Sequence, residues 1–195
     1  MALFDYVPEK VIEADRALFT AVNSGLYHPI GEAAMRFMAN DIFLTAVLFI
    51  LFAVFLKFNT RENRAAAAFS LWALIITNTV NSNILKPAFG RLRPPAEMDA
   101  VNFMVTMKKL GWAFPSTHTA MAVALITVLW GADKKADVFL VFCGVSVAFF
   151  CVYTGGHYPL DTAAGALFGF AAGLVFRAAK KAYLAAGRGF KREIN

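Results

Sequence analysis

The stretch that decides the fold is Val138-Phe-Leu-Val-Phe-Cys-Gly-Val-Ser-Val-Ala-Phe-Phe-Cys-Val-Tyr-Thr154, which contains no charged side chain. One bilayer span needs about 17–25 predominantly apolar residues, and this stretch fits that length. Four further apolar runs lie at Ile42–Phe58, Ala65–Leu85, His118–Trp130 and Thr162–Ala179. The chain is 59% hydrophobic and 16% charged, whereas a soluble domain carries about a quarter charged residues. We therefore predict an all-α, polytopic membrane helix bundle with five spans.

The first forty residues follow a different pattern. Val11, Ala14, Leu18 and Val22 recur at helical spacing among charged residues, which predicts an amphipathic helix at the membrane interface. A second such helix is expected over Pro29–Asn40. The predicted single domain then consists of an N-terminal segment at 1–40, interfacial or packed as a sixth helix, a transmembrane bundle at 42–179 and a basic cytoplasmic tail at 180–195.

The basic residues predict the orientation in the membrane. The net charge is +6, but the Lys and Arg side chains fall between and after the apolar runs, which is typical of membrane proteins and not of nucleic-acid binding. Eleven of the nineteen lie in two connections and the tail: Lys57, Arg61, Arg64, Lys134, Lys135, Arg177, Lys180, Lys181, Arg188, Lys191 and Arg192. Cytoplasmic loops are enriched in Lys and Arg, so these segments should be cytoplasmic. The alternation of spans then places the 86–115 loop and the 154–161 turn on the opposite side.

Two patterns inside the apolar runs predict how the helices pack. Asn78, Ser82 and Lys86 would share one face of a regular helix, directed towards other helices or a wet cavity, because polar groups facing lipid are costly. Interhelical hydrogen bonding explains the Asn residues of this run better than substrate contact does. Glycines at 165, 169 and 173 form a small-residue ridge that predicts close helix packing, either internal or between two copies. Cys143 and Cys151 are expected to be free thiols.

Three short motifs on the predicted outer side carry the polar chemistry. They are Lys86-Pro-Ala-Phe-Gly-Arg-Leu-Arg93-Pro94, Pro115-Ser-Thr-His118 and His157-Tyr-Pro-Leu-Asp161. The basic side chains of the first motif could bind phosphate or reach lipid headgroups. Ser116 and Thr117 favour a helix N-terminus, whose free N–H groups attract anions. Asp161 could orient the imidazole of His157 or only cap a helix.

This set of motifs resembles the type 2 phosphatidic acid phosphatase family, membrane lipid phosphatases that share a site plan with vanadium haloperoxidases. The family pattern is Lys-x6-Arg-Pro, then Pro-Ser-Gly-His, then Ser-Arg-x5-His-x3-Asp. The chain matches the first motif fully and has Thr117 in place of Gly in the second. In the third, Phe150 and Cys151 stand in place of Ser and Arg.

The resemblance implies a role for each matching residue. His157 attacks phosphorus to form a phosphohistidine, Asp161 orients His157, and His118 protonates the leaving oxygen. The implied phosphate-binding residues are Lys86, Arg93, Ser116 and Thr117. Arg91, or Lys108 and Lys109, could supply the positive charge that the family places at the position of Cys151. His28 has no such companions and is expected to be interfacial.

The resemblance also implies the reaction. We expect hydrolysis of a lipid-linked phosphate at the outer, periplasmic face of a bacterial inner membrane, without a metal or another cofactor. The compact size looks most like the undecaprenyl-diphosphate phosphatases. Phosphatidylglycerophosphate and lipid A phosphatases, or a non-catalytic lipid-phosphate binder or transporter, are the alternatives, while a haloperoxidase is disfavoured by the spans. The sequence leaves the oligomeric state open.

Overall fold

The computed structural model describes residues 2–38, 60–98, 101–102, 111–131 and 133–193. Their regular structure is entirely helical, which confirms the all-α class. After a 3-10 turn at Leu3–Tyr6, the helices are α1 (Glu9–Asn23), α2 (Pro29–Met38), α3 (Arg61–Val80), α4 (Lys86–Phe89), α5 (Pro94–Glu97), α6 (Thr117–Leu129), α7 (Lys134–Tyr153) and α8 (Pro159–Glu193). The predicted first span at Ile42–Phe58, and Lys57, Lys108 and Lys109, lie outside the described residues.

Three helical stretches in the described residues are long and apolar enough to cross a bilayer. They are Arg61–Glu97, Lys134–Tyr153 and Pro159–Gly187. The apolar helix α6 is shorter, as the sequence predicts for the third run. The last helix continues through the predicted basic tail as far as Glu193. This length corresponds to about 50 Å of helix, more than the hydrocarbon core of a bilayer requires.

The glycine ridge of α8 packs against α6. A side chain at Gly165 would place its Cβ 2.5 Å from the carbonyl oxygen of Ser116, and one at Gly173 would lie 2.5 Å from Cβ of Thr127. At Gly169 the added carbon would collide with the backbone of Ala120. The ridge therefore brings two helix backbones together inside one chain. The predicted close packing is confirmed, and its internal alternative is the correct one.

Helix α3 contains a change of register just before the first motif. Residues Asn81–Leu85 form a π-helical turn, which inserts one extra residue between α3 and α4. The buried positions along this face are consequently Thr77, Asn81 and Lys86, spaced by four and then five. The predicted face of Asn78, Ser82 and Lys86 is wrong for this reason, and Asn78 is exposed. Single π-helical turns of this kind are frequent at functional sites.

The N-terminal helix α1 directs two of its polar residues, Asp15 and Asn23, into the protein. Asp15, Phe19 and Asn23 are buried, whereas Val11 and Leu18 are 41% and 54% exposed. The predicted helix is thus confirmed, and Val11, Ala14 and Leu18 of its apolar stripe are exposed. Asn23 donates hydrogen bonds to the carbonyl oxygens of Asn102 (3.0 Å) and Tyr153 (2.8 Å). These bonds fix the end of α1 against Asn102 and the end of α7.

The basic connections and the tail meet at the other end of the bundle. The guanidinium of Arg61, at the start of α3, lies 5.0 Å from the ring centroid of Tyr183 on α8. Lys180 donates a hydrogen bond to the carbonyl oxygen of Val128, near the end of α6. Since α3 runs from Arg61 towards Lys86, the basic end and the three motifs occupy opposite ends of the molecule.

Candidate active site

The third motif forms a tight turn between α7 and α8. Gly155 adopts φ +79°, which reverses the chain at a conformation that other residues rarely adopt. The backbone N–H of His157 donates to the carbonyl oxygen of Cys151 (3.1 Å). Asp161 Oδ2 accepts the N–H of Tyr158 (2.8 Å), and so stabilises the first turn of α8 as a capping carboxylate does. The turn therefore holds His157 and Asp161 one helical turn apart on the same side.

His157 and Asp161 form a buried pair. Nδ1 of His157 lies 3.5 Å from Oδ2 of Asp161, and the two residues are 3% and 0% exposed. This separation exceeds that of a good hydrogen bond, although catalytic hydrogen bonds are often long before substrate binds. Asp161 thus serves both predicted alternatives, because it caps the helix and faces the imidazole. The other imidazole nitrogen, Nε2, remains the candidate nucleophile.

The charge state of His157 suits that role. Burial lowers the pKa of His157 to about 4, and the nearby positive charges of Lys86 and Arg93 lower it further, while Asp161 acts in the opposite direction. The imidazole is therefore neutral at physiological pH. A neutral imidazole has a free lone pair, which nucleophilic attack requires.

The first motif brings two cations to this pair. Lys86 is buried and donates from Nζ to the carbonyl oxygens of Trp112 (2.7 Å) and Ala113 (3.3 Å). The helix ends at Phe89, and Gly90 at φ +65° turns the chain so that Arg93 is the N-cap of α5. Nη1 of Arg93 lies 3.9 Å from the point where a Cβ on Gly156 would stand. Its buried Nε has no hydrogen-bond partner among the described residues.

The second motif is joined directly to the third. Ser116 is the N-cap of α6, and its N–H donates to the carbonyl oxygen of Asp161 (2.8 Å). Its hydroxyl accepts a hydrogen bond from Thr119 (3.2 Å) and makes no capping bond to the backbone. Thr117 accepts a hydrogen bond from the side chain of Asn81 (2.7 Å), which confirms the interhelical role of that Asn. His118 lies in the first turn of α6 with an exposed side chain.

Arg91 lies between two carboxylates, a placement that the sequence did not indicate. Its guanidinium donates to Oδ1 of Asp161 (2.7 Å) and to Oδ2 of Asp15 (2.6 Å), and it is only 3% exposed. It also lies between the rings of Phe4 and Tyr158, at 4.4 and 3.9 Å from their centroids. Because both terminal nitrogens of Arg91 are bonded to carboxylates, Arg91 is better placed to position Asp161 than to make the phosphate contact that the sequence predicts.

Sequence reasoning missed the contribution of Asp15, Glu97 and Tyr158. Asp15 is one of the charged residues of the predicted interfacial helix, which are ordinarily solvated, yet its side chain is buried. The Tyr158 hydroxyl donates to Glu97 (3.0 Å), which also pairs with Arg16 (3.0 Å). Burial and the neighbouring Glu97 raise the pKa of Tyr158 above its ordinary value, so the hydroxyl stays protonated. No local sequence signal marks these contacts, because each joins residues far apart in the chain.

Cys151 lies inside the site without supplying charge. Its Sγ is 3.9 Å from Oγ of Ser116, and both cysteines are free, as predicted. Among the residues that the structure describes, Lys86 and Arg93 are the cations whose charge lowers the pKa of His157. Within the described ranges, His, Cys, Asp and Glu form no group of three or more that could hold a metal ion.

Comparison with known proteins identifies the family. The model of the PAP2 superfamily matches residues 66–183, more than half of the chain, and the protein belongs to that superfamily. It is 28% identical to the bacitracin transport permease protein BcrC of Bacillus licheniformis, over 63% of this chain and 60% of that protein. It is 25% identical to lipid A 4'-phosphatase of Porphyromonas gingivalis, over 85% of this chain and 72% of that protein.

A solved structure agrees with this assignment. The crystal structure of LpxE from Aquifex aeolicus superposes with a TM-score of 0.65 at 26% identity, covering 90% of this chain and 98% of that one. The family and these relatives together indicate a membrane-bound lipid phosphatase. The resemblance seen in the three motifs is thereby confirmed.

Proposed function

We propose that the protein hydrolyses a lipid-linked phosphate or diphosphate through a phosphohistidine intermediate. The observation that carries this proposal is the convergence of a buried His157–Asp161 pair with Lys86 and Arg93. In the first step Nε2 of His157 attacks phosphorus, the bond to the departing oxygen breaks, and that oxygen takes a proton from His118. In the second step water attacks the phosphohistidine, gives its proton to His118 and releases inorganic phosphate.

The surrounding donors suit the charge that develops on phosphorus. Phosphate catalysis depends mainly on positioning and on fixed positive groups around the equatorial oxygens. The free donor of Lys86 and the fork of Arg93 can supply these groups, and a phosphate oxygen would satisfy the buried Nε of Arg93. The Ser116 hydroxyl at the start of α6 adds a neutral donor. We propose no metal in this chemistry.

A groove beside the site favours a lipid substrate over a soluble ester. It has a volume of about 550 Å³, lies between α6, α7 and α8, and is lined mainly by apolar side chains such as Val123, Val145 and Phe170. It begins at Thr119, whose hydroxyl contacts Ser116. A long hydrocarbon chain attached to the bound phosphate could lie along this groove.

Undecaprenyl diphosphate is the substrate that we propose first, on the short connections between the apolar runs. Lipid A is the second candidate, because the similarity to lipid A 4'-phosphatase extends over 85% of this chain. Phosphatidylglycerophosphate and a purely binding or transporting role are further alternatives. The chain spans 60% of the length of BcrC. The activity and the substrate of this chain are therefore proposals.

The test is phosphate release by the purified protein in detergent from undecaprenyl diphosphate, lipid A and phosphatidylglycerophosphate. We expect release from one of these lipids at a kcat/KM far above that for a water-soluble aryl phosphate. Activity should persist in EDTA and fall with vanadate, which imitates five-coordinate phosphorus. Binding of all three lipids without phosphate release would support the non-catalytic alternative, and activity that needs added Mg²⁺ would contradict the mechanism.

We further propose that the site faces the periplasm of a bacterial inner membrane, because the basic end should be cytoplasmic. Two exposed alanines provide matched probes: Ala96 near the site and Ala136 at the basic end. Each is replaced by Cys in a Cys143→Ala, Cys151→Ala background. A membrane-impermeant maleimide should label position 96 in intact cells and position 136 only after lysis. The reverse pattern would place the site in the cytoplasm.

A further inference from the structure

Asp15 stands outside the family-matched residues and yet reaches the centre of the site. It lies 51 positions before residue 66, where the family match begins, is 6% exposed and lies 2.6 Å from Arg91. We infer that Asp15 is a positioning residue: acting through Arg91, it holds Asp161, and thereby His157, in the orientation needed for attack on phosphorus. The N-terminal helix α1 would then be part of the active site. This inference rests on the proposed function of His157.

Asp15 stabilises the first turn of α8 through two contacts. Its Oδ1 accepts the N–H of Leu160 (2.7 Å), the residue next to Asp161. Its Oδ2 accepts from Arg91, whose other terminal nitrogen donates to Oδ1 of Asp161. Oδ2 of Asp161 is thereby left for Tyr158 N–H and for the imidazole of His157. One carboxylate thus fixes both the backbone and the side chain that orient the nucleophile.

The guanidinium between the two carboxylates has little freedom to move. The rings of Phe4 and Tyr158 both lie within cation–π distance of it, and its terminal nitrogens are held by the two ion pairs. The planar guanidinium directs separate nitrogens to the two carboxylates in a fixed geometry, which the point charge of a lysine does not provide. Phe4 and Asp15 both belong to the N-terminal segment. The segment therefore contributes a charged and an aromatic contact to the same group.

Charge balance explains why a second carboxylate is needed. A buried guanidinium paired with Asp161 alone would compete with the imidazole for that carboxylate. Asp15 supplies a second negative charge, so that Arg91 is neutralised without withdrawing all of the charge of Asp161 from His157. Burial raises the pKa of Asp15, and the hydrogen bonds from Leu160 and Arg91 oppose this shift. The two ion pairs, at 2.6 and 2.7 Å, show that both carboxylates contact the same guanidinium.

The test compares Asp15→Asn with Glu13→Gln in the full-length protein. Glu13 is an exposed carboxylate on the same helix, so its replacement removes the same charge without touching Arg91. With the lipid phosphate that the wild type hydrolyses best, Asp15→Asn should lower kcat roughly 10–100-fold, the range found when outer partners of catalytic groups are removed. KM should change less than about twofold, because Asp15 does not face the substrate. Glu13→Gln should match the wild type in both constants.

The outcome separates positioning from mere stability. A folded Asp15→Asn protein with unchanged kcat, or one in which only KM rises, would overturn the inference. If Asp15→Asn does not fold, Phe4→Leu decides instead, since it removes one face of the guanidinium cover and leaves every charge in place. We expect a smaller fall in kcat for Phe4→Leu, and an unchanged kcat would contradict the inference. Failure of the wild type to release phosphate would refute the proposed function itself.

Discussion

The two ends of the bundle use charge in different ways. At the site end, Arg91, Lys86 and Asp161 are nearly inaccessible, and each has fixed hydrogen-bond partners at 2.6 to 2.8 Å. At the other end, Arg64 and Lys134 are exposed to solvent. A buried ion is stable only when it is paired and hydrogen-bonded, so a buried charge fixes the positions of its partners. An exposed charge keeps its hydration, and it can set orientation in the membrane without fixing a structure.

The largest effect should come from the buried imidazole. His157→Ala removes the nucleophile, and we expect phosphate release to fall by at least about 10⁴-fold. His118→Ala should lower it by about 10²–10⁴-fold, the usual contribution of a general acid. Initial rates with the preferred lipid measure both effects, and trapping of ³²P-labelled protein should succeed only where His157 is present. His28→Ala is the control, because this third histidine is exposed and belongs to none of the three motifs. Near-normal turnover by His157→Ala would refute the mechanism.

Removing one positive charge at each end of the bundle tests directly whether local geometry or overall charge controls activity. Arg93→Gln should lower kcat/KM by about 10²–10³-fold, the loss typical of removing one donor to a developing anion. Arg64→Gln removes the same charge from an exposed position at the basic end and should leave kcat/KM within about twofold. Steady-state kinetics on both purified variants test this. Equal losses would show that overall charge, and not local geometry, controls activity.

The packing that joins the two ends can be tested at the glycine ridge. Gly169→Ala forces a methyl group against the backbone of Ala120 and should cost about 1–3 kcal/mol of folding free energy. Gly111→Ala is the control, because no atom of the described residues lies within 4 Å of the added carbon. Thermal unfolding in detergent should show a lower midpoint only for Gly169→Ala. An unchanged midpoint would mean that α6 and α8 can separate without loss.

The smallest expected effect is on the pH dependence of kcat/KM, which reports the burial of His157. Since the pKa of His157 is lowered from 6.5 to about 4, the imidazole is neutral at every pH well above 4. Protonation of His157 should therefore reduce kcat/KM only as the pH falls through about 4. The charged groups that face it are Asp161, Lys86 and Arg93. Assays between pH 4 and pH 7, with recovery checked on return to pH 7, should show no loss centred near 6.5 that depends on His157.

Much of the fold and of the site could be read from local patterns. The apolar runs predicted the α3, α7 and α8 spans, and the ridge at 165, 169 and 173 predicted close packing. The three motifs predicted which side chains would converge, and the Asp161 carbonyl bond to Ser116 N–H joins two of them directly. Helix α3 shows where such reading fails. A period of 3.6 residues cannot foresee the π-helical turn at Asn81–Leu85, which rotates Lys86 relative to Asn78.

The sequence by itself determined the helical class, the family and the residues of the three motifs, because each depends on composition or on short spacing. Only the tertiary structure decided what Asp15 and Arg91 do. Their contact joins residues 76 positions apart, and no local pattern indicates that the two residues meet. A charged residue in an amphipathic helix is ordinarily solvated, and only the burial of α1 against the catalytic turn gives Asp15 a partner. Burial makes that pairing necessary, and burial is a property of the assembled bundle.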